Sequence, residues 1–236
     1  SLTDDEVRRA VKYALEEMNE MPSWLWQLYQ SRPEPVEEVL VSEITWEFNT
    51  PHNPGTAGYI LSRLRWNATD LGVALRAKLV DLIQKSGDHN PHAILEALIV
   101  VLRDPSPVPS TLIEHGRQHA DAASTEELKA LWIGFLICVD ADFGVDKLER
   151  WIRDASTLEV KEERATRVLN NVWGGRFDGF NTPHKDYNRT SLLMRLLKLA
   201  HTHVRLQDDL VHEGGYSPGA RDQAQEARGH LFELLY

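Results

Sequence analysis

The sequence predicts an all-α fold built from antiparallel helical hairpins, and three observations lead there. Apolar residues recur at three- and four-residue spacing through most of the chain, while strand-like alternation of apolar and polar residues never persists. Helix-start residues and prolines punctuate that pattern, leaving joints short enough to make consecutive helices antiparallel neighbours. The pentapeptide Phe-Asn-Thr-Pro-His occurs at 48–52 and again at 180–184. The separation equals three periods of about 44 residues, the length of a two-helix unit of the HEAT type. The expected architecture is therefore a HEAT-like α-solenoid of antiparallel helical hairpins, with residues 1–236 forming one helical-repeat domain.

Each element has its own signal. Thr3-Asp4-Asp5-Glu6 is a capping box, in which the threonine hydroxyl meets the third helical N–H while Glu6 reaches back, so a helix should run from here to about Met21. Pro22 and Ser23 end it, the aromatic segment 24–29 follows, and Pro33 with Pro35 opens a helix over roughly 37–48. Helical patterns resume over 56–64, 70–85 and 91–102, the last with Asn90 as N-cap and proline at the first helical position. Asp104-Pro105-Ser106-Pro107-Val108-Pro109 reads as a stiff non-helical connector, because each proline removes a donor and extends its predecessor. Ser110 caps a helix to about Ala123, and Ser124-Thr125-Glu126-Glu127 starts another that carries the apolar run 131–139. Asp142 starts a third to Ala155, and 159–172 follows. The glycine-rich stretch 173–179 leads into the second pentapeptide, a long helix spans 190–211, and Ser217-Pro218 caps the last helix.

Composition narrows the class of function. With 236 residues, 42% of them hydrophobic, the chain can bury a continuous core without disulfides or metals. A net charge of −10 weighs against nucleic acid as a partner, since phosphate-tracking surfaces gather Lys and Arg densely. The lone cysteine, Cys138, lies inside the apolar run and is expected to be buried; a single thiol forms no internal disulfide and fits a reducing compartment. No apolar stretch approaches the roughly 20 residues of a membrane span, so a cytoplasmic protein without membrane association is expected. Asn67-Ala68-Thr69 and Asn188-Arg189-Thr190 match the glycosylation triplet, but nothing else points to secretion. The opening Ser1 suggests a module of a longer polypeptide.

Candidate sites fall in three places. In each pentapeptide, Asn or Thr can satisfy free N–H groups of a following helix while proline presets its first φ, so both copies are expected to start helices. If the copies lie along one rim of a solenoid, His52 and His184 line a shared binding face, with Arg176 beside the second. Neither histidine has a second ligand at helical spacing, so no metal is assigned there. Trp24, Trp26 and Tyr29 are candidate recognition anchors, because aromatic side chains bury large area with little lost rotamer freedom. Toward the C-terminus, Arg205, Asp208 and Asp209 are expected to meet Arg221, Gln225 and Arg228 across the final hairpin as a structural polar network. Asp208 and Asp209 should pair with Arg221, and Arg205 with Gln225 or Arg228. The competing reading takes His201, Asp208 and His212, on one helical ridge with Asp209 close by, as the centre of a metal-dependent hydrolase; a nucleic-acid-processing helical repeat is its variant. The first reading calls for no catalytic residue, metal or cofactor, and for a partner that is another protein or another domain of the parent chain.

The string His203-x-Arg205-x-x-Asp208-Asp209-x-x-His212, followed by Tyr216-Ser217-Pro218-Gly219-x-Arg221-Asp222-x-Ala224-Gln225-x-Ala227-Arg228, resembles the C-terminal helical-repeat regions of large bacterial NACHT or STAND-type ATPases. Many of these are associated with antiphage defence. The likeness covers only the C-terminal end of the chain, and Ser-Pro-Gly-x-Arg-Asp-x-Ala-Gln is its distinctive part. In that family a separate domain holds the nucleotide and the repeats act as sensor or scaffold. The resemblance thus implies a non-catalytic module of a larger cytosolic protein. No Gly-x-x-x-x-Gly-Lys-Ser/Thr occurs, so no P-loop ATPase is expected of this chain itself.

Overall fold

A computed structural model describes residues 2–17, 20–51, 59–174, 179–212 and 214–235. Among these residues all regular structure is helical, and no helix is long and apolar enough to cross a membrane. Packing divides the chain into two compact units, Ser1–Asp104 and Pro105–Tyr236. The division falls inside the proline segment, whose residues 104–109 are non-helical as expected.

The first unit opens with α1 (Asp4–Glu16), started by the predicted capping box: the Thr3 hydroxyl accepts the Glu6 N–H at 3.3 Å and Glu6 accepts the Thr3 N–H at 2.8 Å. The helix stops at Glu16 rather than near Met21, its C-cap Glu17 being extended. The aromatic segment is itself a helix, α2 (Trp24–Ser31), and α3 (Pro33–Asn49) begins a turn earlier than expected because its prolines occupy first-turn positions, where no N–H is needed. Arg32, capping α3, reaches Asp4 at the start of α1, and further along Arg8 meets Glu38 at 2.9 Å. The two helices therefore run side by side in the same direction.

α4 (Tyr59–Trp66), α5 (Thr69–Ala74), α6 (Arg76–Lys85) and α7 (Pro91–Arg103) complete this unit. The single helix expected over 70–85 is broken at Leu75, whose φ of −83° and ψ of 0° end α5 and begin α6. Gly72 allows the close approach that accompanies this break, since a Cβ there would lie 2.9 Å from Val100 and 3.2 Å from the Leu64 carbonyl. Around α7 sit α3, α4, α5 and α6, and its buried residues run almost continuously from Ala93 to Leu102. Buried Asn90 starts it as predicted, accepting the Ala93 N–H at 3.1 Å and donating to the Glu47 carbonyl at 2.9 Å.

The second unit contains α8 (Ser110–Ala122), α9 (Glu126–Val139), α10 (Ala141–Arg153), α11 (Leu158–Trp173), α12 (Thr190–His203) and α13 (Ala220–Glu233). Ser110 is the first residue of α8 rather than its cap, and Thr125 and Thr157 cap α9 and α11 by accepting the N–H three residues on. Cys138 is fully buried within α9, as its apolar run implied. α9, α11 and α13 lie side by side in one row; α10 and α12 form a second row against them, while α8 packs on α9. Gly144 permits the tight turn between rows, since a Cβ there would lie 2.6 Å from the Ile137 nitrogen.

The helix expected over 190–211 ends at His203. Its apolar stripe is buried through Leu193, Leu196, Ala200 and Val204, but Leu206, Leu210 and Val211 are exposed. Leu206–Asp208 form a 3-10 turn instead. The cause is tertiary: α13 supplies Arg228, which takes the Val204 carbonyl, and Arg221, which takes the Arg205 carbonyl at 2.8 Å. Those carbonyls would otherwise continue the helical ladder.

Candidate functional site

The two pentapeptides do not share a conformation. In the first, Phe48 and Asn49 close α3, with the Asn49 amide donating to the Thr45 carbonyl and the Thr50 hydroxyl to the Trp46 carbonyl, each at 2.8 Å. Here Asn49 and Thr50 close a helix, which corrects the expectation that these side chains cap the start of one. In the second, Phe180 is buried and its N–H donates to the Asn171 carbonyl at 2.8 Å, while Asn181 adopts a left-handed φ of 40°. The Thr182 hydroxyl accepts the His184 N–H at 3.1 Å, and Asp186 then pins the loop to the α9–α10 joint by accepting the Ala141 N–H at 2.7 Å. No helix begins until Thr190. Identical side chains serve different ends because short polar residues bond whichever backbone group their neighbours leave free. His184 is half-buried in this loop; His52 and Arg176 lie outside the described residues.

On α2, Leu25 turns inward, and the three aromatic anchors are exposed to different degrees. Trp24 is 41% exposed. Trp26 and Tyr29, three residues apart, are half-buried and stack with ring centres 5.7 Å apart and planes 12° from parallel. Burial raises the Tyr29 phenol above its usual range, with Glu37 adding to the effect, so this ring presents a neutral hydroxyl.

The C-terminal polar residues do come together, with Asp209 facing Arg221 as expected, while Asp208, Arg205 and Gln225 take partners other than those expected. Arg228, nearly buried, grips Asp209 with both guanidinium nitrogens, one at 3.0 Å, and Arg221 approaches the same carboxylate at 3.8 Å. Asp208 turns away from α13 and pairs with Arg205 at 2.7 Å, which also meets Glu162 of α11 at 3.1 Å. Gln225 accepts the Leu210 N–H at 3.0 Å rather than binding Arg205. His212 lies 2.6 Å from Asp222 and stacks on Tyr216 with ring centres 3.5 Å apart. His212 and the Gly219 N–H hold the Asp222 carboxyl below its ordinary range.

The hydrolase reading required His201, Asp208 and His212 on one ridge with Asp209 close by, and the end of α12 at His203 removes that ridge. His201 is exposed on α12, Asp208 and Asp209 are bound to different arginines, and His212 is engaged by Asp222. Among the described residues no group of three or more His, Cys, Asp or Glu is placed to hold a metal ion.

Two constellations escaped sequence reasoning. Inside the first unit, Arg65 and Glu96 form a buried ion pair at 2.8 Å, and buried Glu47 accepts the Ile60 N–H at 2.6 Å and the Leu61 N–H at 3.3 Å. Arg65 and Glu96 come from different helices with no local spacing to join them. In the second unit a cavity between α10, α11 and α12 gathers Arg153, Lys161, Arg195 and Lys198. Only Arg195 and Lys198 share a helix; no linear motif announces the cluster. Comparison of the chain with protein-family models, with curated protein sequences and with solved structures finds no match.

Proposed function

We propose that this chain is a non-catalytic recognition module, a sensor or scaffold of a larger cytosolic protein, whose helical hairpins stack in the manner of a HEAT-like solenoid. The paired rows of the second unit support the solenoid reading: α9, α11 and α13 neighbour one another in one row, as α10 and α12 do in the other. The observation that carries the recognition reading is how the conspicuous side chains are used. The C-terminal ionisable residues are taken up in struts between α11, the 3-10 turn and α13, whereas on α2 Trp24 is exposed and Trp26 and Tyr29 keep part of their rings at the surface. Struts of this kind fix helix register, and exposed tryptophan beside a stacked Trp–Tyr pair is the composition of an interface centre. The resemblance of the C-terminal string to NACHT and STAND-type repeat regions supports a parent protein of that kind, bacterial and defence-associated.

The partner is another protein or another domain of the parent chain. Affinity capture from bacterial cells, with and without phage challenge, tests this by comparing the native module with Trp24→Ala and with the Trp26→Ala, Tyr29→Ala pair. A specific protein retained by the native module should be lost from both variants, each of which must keep its helical circular dichroism. Equal recovery with all three proteins would remove α2 from the interface and overturn the reading.

A further inference from the structure

The α10–α11–α12 cavity has a volume of about 370 Å³ and presents four cationic side chains against one carboxylate, Glu149. That balance stands out in a chain of net charge −10. The carboxylate is already committed: Arg195 binds Glu149 at 2.7 and 2.9 Å and reaches Asp146 at 2.6 Å, so neither partner offsets the other three cations. Arg153, Lys161 and Lys198 have no carboxylate partner among the described residues. Elsewhere most arginines of this unit are paired, including Arg117, Arg164, Arg167, Arg189 and Arg228. Three cationic side chains bordering one hollow make a positive local field that favours an anion there.

His203 belongs to the same wall. The Nδ1 atom of His203 is buried and has no hydrogen-bond partner. Burial also disfavours the charged imidazole, with Lys161 and Arg205 adding to that effect and Glu162 opposing it. A neutral ring can offer either a donor or an acceptor at Nδ1. Beneath the polar groups, Ile152 and Leu199 form a buried apolar floor.

We propose that this cavity binds a small organic phosphate of about mononucleotide size, its phosphate held by Arg153, Lys161 and Lys198 beside His203 and its apolar part resting on Ile152 and Leu199. Charge-assisted bonds to phosphate oxygens supply the polar recognition, and the volume lies in the range of small-molecule sites, roughly 300–1,000 Å³. Hydrolysis is not part of the proposal: Glu149, the carboxylate on the lining, is held by Arg195.

Calorimetric titration of the full chain with AMP, with pyrophosphate and with sodium sulfate at matched ionic strength tests the proposal, together with melting temperatures in each. AMP should bind saturably and raise the melting temperature, while pyrophosphate, lacking an apolar part, should bind more weakly. Arg153→Ala, Lys161→Ala and Lys198→Ala should each weaken AMP binding roughly tenfold or more, the loss expected of one charge-assisted hydrogen bond. Lys185→Ala, on the exposed loop away from the cavity, should leave it unchanged. Binding of AMP no stronger than sulfate would overturn the proposal. So would equal losses in Lys185→Ala and the three cavity variants, which would mean diffuse attraction to surface charge.

Discussion

Glu47 carries the largest consequence of any single side chain in the first unit. It sits one turn from the end of α3, is 3% exposed, and closes the start of α4 by accepting two N–H groups that no helical carbonyl can serve. Burial raises its pKa from the ordinary 4.5 to about 7, with Glu43 and Glu96 pushing the same way and the two backbone N–H groups pulling back. The native state therefore holds a proton that the unfolded chain has already released between these two values. Its contribution to stability is complete below the unfolded value and is lost as pH rises through the native one. On going from about pH 4 to about pH 8, the native protein should lose on the order of 3 kcal/mol relative to Glu47→Gln, which cannot ionise. Urea unfolding of both proteins across that range measures the difference; parallel pH profiles would show that the carboxyl titrates normally. Asp222 acts with the opposite sign. Its native value is lowered by His212, so its contribution is present above the ordinary 3.8 and disappears as pH falls through the native value.

At the scale of elements, the end of α12 separates what local sequence specifies from what it does not. Capping signals at Thr3, Asn90 and Thr125 were legible because a side chain bonding an N–H three residues away is a local event. The Arg221 and Arg228 contacts that end α12 come from a different helix, so the leucine-rich pattern ran on through Val211 with nothing nearby to stop it. The same error placed Asp208 opposite Arg221, because a continuous helix would have turned it there. The observed pairing gives the two neighbouring aspartates different weights. Asp209 is 22% exposed against an Arg228 that is 7% exposed, whereas Asp208 and Arg205 are 39% and 36% exposed. Asp209→Ala leaves the Arg228 charge shielded and unpaired and should lose on the order of 3 kcal/mol. Asp208→Ala breaks a solvated pair and should lose under about 1 kcal/mol. Urea unfolding of Asp209→Ala, Arg228→Ala and the double variant should give a coupling well above that of the Asp208–Arg205 cycle. Equal losses at the two aspartates would remove the strut.

At the scale of the whole molecule, helicity was legible throughout, but the partition into Ser1–Asp104 and Pro105–Tyr236 was not, because the repeat that suggested one uninterrupted array lies in two unlike conformations. The proline segment is where helical continuity is lost: residues 104–109 are non-helical, and the Pro109 carbonyl, accepting the Ile113 N–H at 3.2 Å, opens α8 afresh. On either side a separate core is assembled. Val36, Leu40, Ile44, Leu61, Leu64 and Leu98 are fully buried in the first unit, and Leu128, Ile133, Phe135, Leu136, Leu148 and Leu196 in the second. Both units fall in the size range, roughly 50–200 residues, in which one core stabilises a domain. Each should therefore fold when produced alone, with the cut placed at Asp104 and Pro105, in the exposed proline segment where no helix or cap is severed. Far-ultraviolet circular dichroism of the two pieces, weighted by length, should sum to the spectrum of the intact chain, and each should show its own cooperative urea transition. A piece that is helical but melts without cooperativity has left part of its core in the other half. The chain would then be one folding unit, and the proline segment a turn inside it.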